Sequence, residues 1–252
     1  MIKEYLESLT DEAAALLNYD WDVFGRPDQL APEGDWLTWL VLAGRGWGKT
    51  RTGAEWVKSQ VYAGKKRIAL IAETQKDLEQ VMIEGESGLM SVFPPDQRPK
   101  YRKKPVELTF HTGAKALGYN ATEPDQLRGP QFDAAWCDEL AKWKHARETW
   151  DMLQFGLRLG DDPRQLVSTT PRGIASVREI MDAADTVVTR GRTMDNANNL
   201  AGSFLRVITA KYAGTRLGRQ ELDAEVLSDM PGAIWLREWV DKARVREAPP
   251  LK

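Results

Sequence analysis

Residues 43–50 read Ala43-Gly44-Arg45-Gly46-Trp47-Gly48-Lys49-Thr50, a glycine-rich turn that closes on Gly-Lys-Thr. The apolar run 36–42 before it reads as a buried strand, and residues 50–62 after it carry Ala54, Val57 and Val61 at helical spacing. A glycine turn between a strand and a helix predicts a phosphate cradle. Backbone N–H groups curl around a polyphosphate, Lys49 neutralises charge on its β and γ groups, and the Thr50 hydroxyl ligates Mg²⁺ at a helix N-terminus. The pattern G-x-x-x-x-G-K-[ST] is met with two peculiarities: Ala43 stands at the opening glycine, and the interior holds a cation, Arg45.

Further apolar runs at 67–72, 106–111, 134–137 and 165–169 are separated by segments of helical character at 74–84 and 146–159. That alternation predicts a parallel sheet covered by helices. Residues 4–17 place Leu6, Leu9, Ala13, Leu16 and Leu17 on one side of a helix, an N-terminal arm. After about residue 191 the pattern turns to helix-like pieces at 203–212 and 216–227, predicting a core over 1–190 and a helical lid or linker over 191–252. The Pro-Pro ending 247–252 reads as a tether. A single cysteine, Cys137, excludes an intrachain disulfide and fits a reducing compartment. The net charge of −2 leaves no global basic field for nucleic acid, so such contact needs a local patch or an assembly. No apolar stretch reaches the roughly 20 residues of a membrane helix.

A phosphate loop alone does not separate kinases from motors, so the acids at the end of a later strand decide. Following 134–137, Asp138 can hold the water shell of Mg²⁺, and Glu139 can polarise an attacking water as general base. Paired acids there suit phosphoryl transfer to water better than to a bound acceptor.

Together, residues 44–55, Asp138-Glu139 and Ser168-Thr169-Thr170-Pro171 resemble the ATPase domain of a tailed-bacteriophage large terminase, a family that includes prophage and gene-transfer-agent packaging motors. The likeness extends through Asn196-Ala197-Asn198-Asn199-Leu200, 214–218 and Gln220-Glu221-Leu222. It implies a RecA-like additional-strand phosphate-loop fold, a mainly parallel sheet flanked by helices with a small C-terminal helical lid. It implies ATP and Mg²⁺ as cofactors and double-stranded DNA, a portal protein and a small terminase subunit as partners. A homo-oligomeric ring on the procapsid, an isolated domain that is monomeric, and action in the cytoplasm of an infected bacterium complete the expectation.

The resemblance also assigns residues. Gln29, in Arg26-Pro27-Asp28-Gln29, matches an adenine reader, since an amide can pair N6 and N7 of the base; an ordinary turn residue is the alternative. Nucleotide contacts are expected from Gly44, Arg45, Gly46, Trp47, Gly48, Lys49, Thr50 and Arg51, with Trp47 bracing the loop. Ser168, Thr169 and Thr170 match the element that couples hydrolysis to movement. Arg128 matches an arginine inserted into a neighbour's active site, and Arg45 competes for that role within its own subunit; the sequence does not decide between them.

Residues 98–104 hold five cations around Tyr101, and Lys100, Arg102, Lys103 and Lys104 are candidates to track a DNA backbone. His111 and His145 have no metal-ligand spacing. The family's ribonuclease-H-like nuclease is expected to begin near residue 246, so no nuclease activity is expected here. The rival readings are a helicase-like translocase, which would need a second motor domain, and a nucleotide-dependent scaffold with negligible turnover alone.

Overall fold

The computed structural model describes residues 10–227 together with Trp239, Ala243 and Arg244. The arm is described from a helix at Asp11–Leu17, whose N-terminal Thr10 hydroxyl accepts the Ala13 N–H; the earlier residues of the expected arm lie outside the described residues, as does the tether at 247–252.

Eight strands form one sheet: β1 (Thr38–Ala43), β2 (Arg67–Ala72), β3 (Lys100–Lys103), β4 (Val106–Thr109), β5 (Lys115–Asn120), β6 (Ala134–Asp138), β7 (Arg164–Thr169) and β8 (Thr186–Gly191), in the order β3-β4-β5-β2-β6-β7-β1-β8. From β5 to β8 every pairing is parallel, whereas β3, β4 and β5 pair antiparallel. Strand β1 is buried along its whole length, and its side chains alternate between two cores. Trp39, Val41 and Ala43 join Ala54, Val57 and Trp136 on one face; Leu40 and Leu42 join Ala135, Leu153 and Val177 on the other. Both faces must therefore be covered, as a parallel sheet requires. Helix Lys49–Tyr62 covers the first, and helices Ala146–Gly156 and Ala175–Asp182 the second.

The predicted runs at 67–72, 134–137 and 165–169 are strands, as expected. Strands β3, β5 and β8 carry weaker signals. β3 is charged with only Tyr101 half-buried, β5 contains Gly118 and Asn120, and β8 is a half-buried edge. The helix expected at 74–84 begins at Gln75 but passes into a π-helical turn over Leu78–Ile83. The distal helices are Gly202–Tyr212 and Arg216–Glu221; the second stops well short of 227, ahead of Ala224 with φ 57°.

This strand order sets the site. β7 lies between β6 and β1, so the ends of the strands bearing the phosphate loop, the acid pair and the Ser-Thr-Thr segment meet at one carboxyl edge, where open α/β sheets bind ligands.

Candidate active site

The turn after β1 delivers the phosphate loop into helix Lys49–Tyr62. Gly48, at the helix N-cap, has φ 106°, and a Cβ there would stand 2.7 Å from Gln29 Nε2, so only glycine suits the position. Trp47 is fully buried, its indole against Gly191, where a Cβ would fall 2.0 Å from Nε1. The bracing role expected of Trp47 fits that burial; the nucleotide contact expected of it does not, because the indole faces the core and the residue is not part of the cleft lining. Arg26 stacks over this ring at 5.0 Å, donates to Trp47 O at 2.7 Å and reaches Asn196 Oδ1 at 2.7 Å. The guanidinium thus joins the N-terminal turn, the loop and the distal segment.

The distal segment grips the loop from outside. Glu221 O accepts from Arg45 N at 2.7 Å, the Thr193 hydroxyl donates to Arg45 O at 2.7 Å, and Asn196 Nδ2 donates to Gly46 O at 2.7 Å. Arg45, 69% exposed, pairs through its guanidinium with Glu221 at 3.3 Å.

Lys49 is 8% exposed, and its ammonium donates to Ala43 O and to the Thr170 hydroxyl, each at 3.0 Å, beside Glu139 Oε1 at 3.4 Å. Glu139 adopts left-handed φ 53° and ψ 42°, a strained conformation for a side chain of this size, of the kind that clusters at active sites. Thr170 N–H donates to its Oε2 at 3.2 Å and Lys142 lies 3.6 Å from the same oxygen. Burial pushes the Glu139 carboxyl up, but Lys49 and Lys142 outweigh it and hold the group below the ordinary glutamate range. Asp138 moves oppositely. Burial, then the adjacent Glu139 charge, raises it to about 6, against the Ser168 hydroxyl that donates to Oδ1 at 2.7 Å. Adjacent carboxyls pushed apart in this way take different roles.

A cleft of about 880 Å³ opens over these groups, lined by Gln29, Arg45, Gly46, Gly48, Lys49, Thr50, Arg51, Glu139 and Thr170 among the expected residues. Arg51 pairs with Glu55 at 2.7 Å and lies over Trp21 at 5.4 Å. The Gln29 amide is buried and engaged, Nε2 donating to the Thr52 hydroxyl at 3.0 Å and Oε1 accepting from Arg26 N at 3.3 Å. Gly44 lies buried against Leu222 O. Ser168 and Thr169 are interior: Ser168 fastens Asp138 and accepts the Trp136 indole N–H at 3.0 Å, and Thr169 accepts Ala141 N–H at 3.1 Å. Of the three hydroxyl residues expected to couple hydrolysis to movement, Thr170 alone lines the cleft. Arg128 stands on the surface, 69% exposed, paired with Asp125 at 2.8 Å. On β3, Arg102 pairs with Glu107 at 3.1 Å and Lys103 with Glu84 at 2.9 Å; these two, Lys100 and, just after the strand, Lys104 are all exposed. Arg26 and Lys142 were not singled out from the sequence; the signals were their places in Arg26-Pro27-Asp28-Gln29 and three residues after Glu139.

The fold is RecA-like, a mostly parallel sheet flanked by helices, with the cleft at the edge where β1, β6 and β7 end. The family model "Terminase large subunit, T4likevirus-type, N-terminal" matches residues 40–242, and the chain belongs to that family. Among solved structures, the chain is similar to the large terminase ATPase domain of Thermus phage P74-26, with TM-score 0.62 and 17% identity over 86% of this chain and 98% of that one. It is also similar to the large terminase of a thermophilic bacteriophage in complex with ADP, with TM-score 0.59 and 15% identity over 84% of this chain and 52% of that one. The chain thus spans about half the length of this second protein. At these identities the likenesses speak to fold. No curated protein sequence matches the chain. Among the described residues no helix is long and apolar enough to cross a membrane.

Proposed function

We propose that this chain hydrolyses ATP to drive double-stranded DNA into a viral procapsid. The observation that carries the reading is the meeting of Lys49, Thr170 and Glu139, from three strand ends, in one cleft of nucleotide size. The thermophilic-phage relative solved with ADP supports a nucleotide as occupant.

Thr50 and Asp138 offer a hydroxyl and a carboxylate, hard oxygen donors that suit Mg²⁺, which keeps waters and shares phosphate oxygens. Held there, the ion would neutralise charge between the β and γ phosphates. Lys49 binds the same phosphates, Glu139 takes the proton of the attacking water, and Thr170 orients the Glu139 carboxylate through its N–H and hydroxyl. Ser168 fixes Asp138 beneath. Gln29, with one amide hydrogen and one lone pair beyond its present partners, reads adenine. Arg45 and Arg128 are both 69% exposed and both ion-paired, with Glu221 at 3.3 Å and Asp125 at 2.8 Å; Arg128 lies outside the lining of the cleft, which makes it the candidate charge given to a neighbour in a ring, and Arg45, which lines the cleft, the candidate within its own subunit. Portal protein and small terminase subunit are the assembly partners, the cytoplasm of an infected bacterium the setting, and residues 191–252 the lid and linker.

Steady-state ATP hydrolysis with and without double-stranded DNA, across protein concentration, tests this. Specific activity should rise with concentration and with DNA. Hydrolysis absent under every condition, including the assembled motor, would overturn the reading.

A further inference from the structure

The Glu139 carboxylate lies between two lysines, one on each oxygen. Thr170 donates to both oxygens, its N–H to Oε2 at 3.2 Å and its hydroxyl to Oε1 at 3.4 Å, and the ammonium groups of Lys142 and Lys49 pair with Oε2 at 3.6 Å and Oε1 at 3.4 Å. A water that is to give its proton to Oε2 must therefore share that oxygen with the Lys142 charge, which also makes the carboxylate a weaker base. Lys49 belongs to the phosphate loop and has phosphate as its partner in the proposed reaction. Lys142 belongs to neither the loop nor the acid pair.

Its position gives it a use. Lys142 ends the 3₁₀ turn Leu140–Lys142 and lines the same cleft as Lys49, Thr50 and Thr170. Its side chain is 44% exposed, against 8% for Lys49, which two backbone carbonyls and Thr170 hold in place. A lysine on a flexible four-carbon stem can swing its charge between acceptors, and two ammonium groups already converge on opposite oxygens of one carboxylate. Each has that carboxylate to exchange for phosphate.

We propose that Lys142 is a second phosphate-contacting cation, which leaves Glu139 for the terminal phosphate of a nucleoside triphosphate and thereby frees Oε2 for the attacking water. The proposal rests on the hydrolysis reading above. As the water oxygen bonds to the γ phosphorus, the β,γ-bridging P–O bond breaks, the diphosphate leaves, and the water's proton passes to Glu139. A diphosphate offers no γ group, so Lys142 stays on Glu139 and the base stays weakened. The residue therefore discriminates triphosphate from diphosphate.

The test is calorimetric titration of the full chain with Mg²⁺ and either ADP or a non-hydrolysable ATP analogue, for wild type, Lys142→Ala, Lys142→Arg and Lys49→Ala. Lys142→Ala should weaken binding of the analogue roughly tenfold, the size of one charged hydrogen bond, and that of ADP less than about twofold. Lys142→Arg should restore most of the affinity for the analogue. Equal weakening of both nucleotides by Lys142→Ala, or none, overturns the proposal. Unaltered binding of both by Lys49→Ala would instead remove the phosphate-loop reading, and the Lys142 proposal with it.

Discussion

Asp138 and Glu139 are neighbours in sequence, yet one is an interior residue fastened by Ser168 and the other sits in the cleft between two lysines. The pKa of Asp138, raised to about 6 from an ordinary 3.8, means that the folded protein binds this proton more tightly than the unfolded chain does. The stability linked to it is full below pH 3.8 and is lost as pH rises through about 6. Asp138→Asn keeps an acceptor for Ser168 and removes the buried charge. In Mg²⁺-free buffer at pH 8 the variant should therefore be more stable by about 3 kcal/mol, with the gap closing toward pH 4, as urea unfolding at both pH values would measure. A variant less stable at pH 8 would show that Asp138 is charged at no cost. Function should separate differently. Lys49→Ala should weaken nucleotide binding and abolish turnover, while Glu139→Gln should bind ATP and leave it uncleaved, read by fluorescent nucleotide titration with single-turnover hydrolysis. Near-normal turnover in Glu139→Gln would remove the base assignment. Lys49, Thr50 and Glu139 were legible because glycine spacing and an acid pair after a strand are chemical patterns. The inward turn of Trp47 and the burial of Ser168 were not, because they depend on what lies across the sheet.

Among the elements, strands of the sheet interior were the readable ones: 67–72, 134–137 and 165–169 are apolar because both their faces are covered. Edge strands carry a different code. β3 is the outermost strand of its side, and its charges both solvate the open edge and discourage pairing with another chain. That explains why Lys100–Lys103 looked like a charge run, and it bears on the expected DNA contact. Glu107 and Glu84 compensate Arg102 and Lys103, so Lys100 and Lys104 carry the field available to phosphate. Neutralising Lys100 and Lys104 should lower affinity of the assembled motor for DNA regardless of sequence, with the slope of log affinity against log salt shrinking by about 0.9 for each phosphate no longer neutralised. Neutralising Arg102 and Lys103 should do less. Fluorescence anisotropy across salt concentrations would measure both, and an unchanged slope would return the strand to the role of a charged edge alone.

At the scale of the whole molecule, the phosphate loop is held from both sides, by Arg26 of the N-terminal turn and by Thr193, Asn196 and Glu221 of the distal segment. The distal segment was readable as helical but not as a clamp on residues 44–46, since those contacts span about 150 residues of chain. The clamp holds Arg45 by its backbone and leaves its guanidinium at the cleft, while Arg128 stands on the surface away from the cleft, so the proposed reaction has one candidate charge within the subunit and one that only a neighbouring site could use. An arginine supplied in this way is worth roughly 10³ to 10⁵ in rate. Arg128→Ala should therefore leave nucleotide affinity nearly unchanged while removing the hydrolysis that assembly stimulates. Mixed rings give the sharper measurement. Subunits with Arg128→Ala keep Glu139, and subunits with Glu139→Gln keep Arg128, so wherever the second donates to the first an intact site is rebuilt from two inactive chains. Activity should return on mixing, peak near equal proportions and vanish when the two are kept in separate rings. Mixed rings that form yet stay inactive would place the stabilising charge within the same subunit, and Arg45, released from Glu221, would be the residue to substitute next.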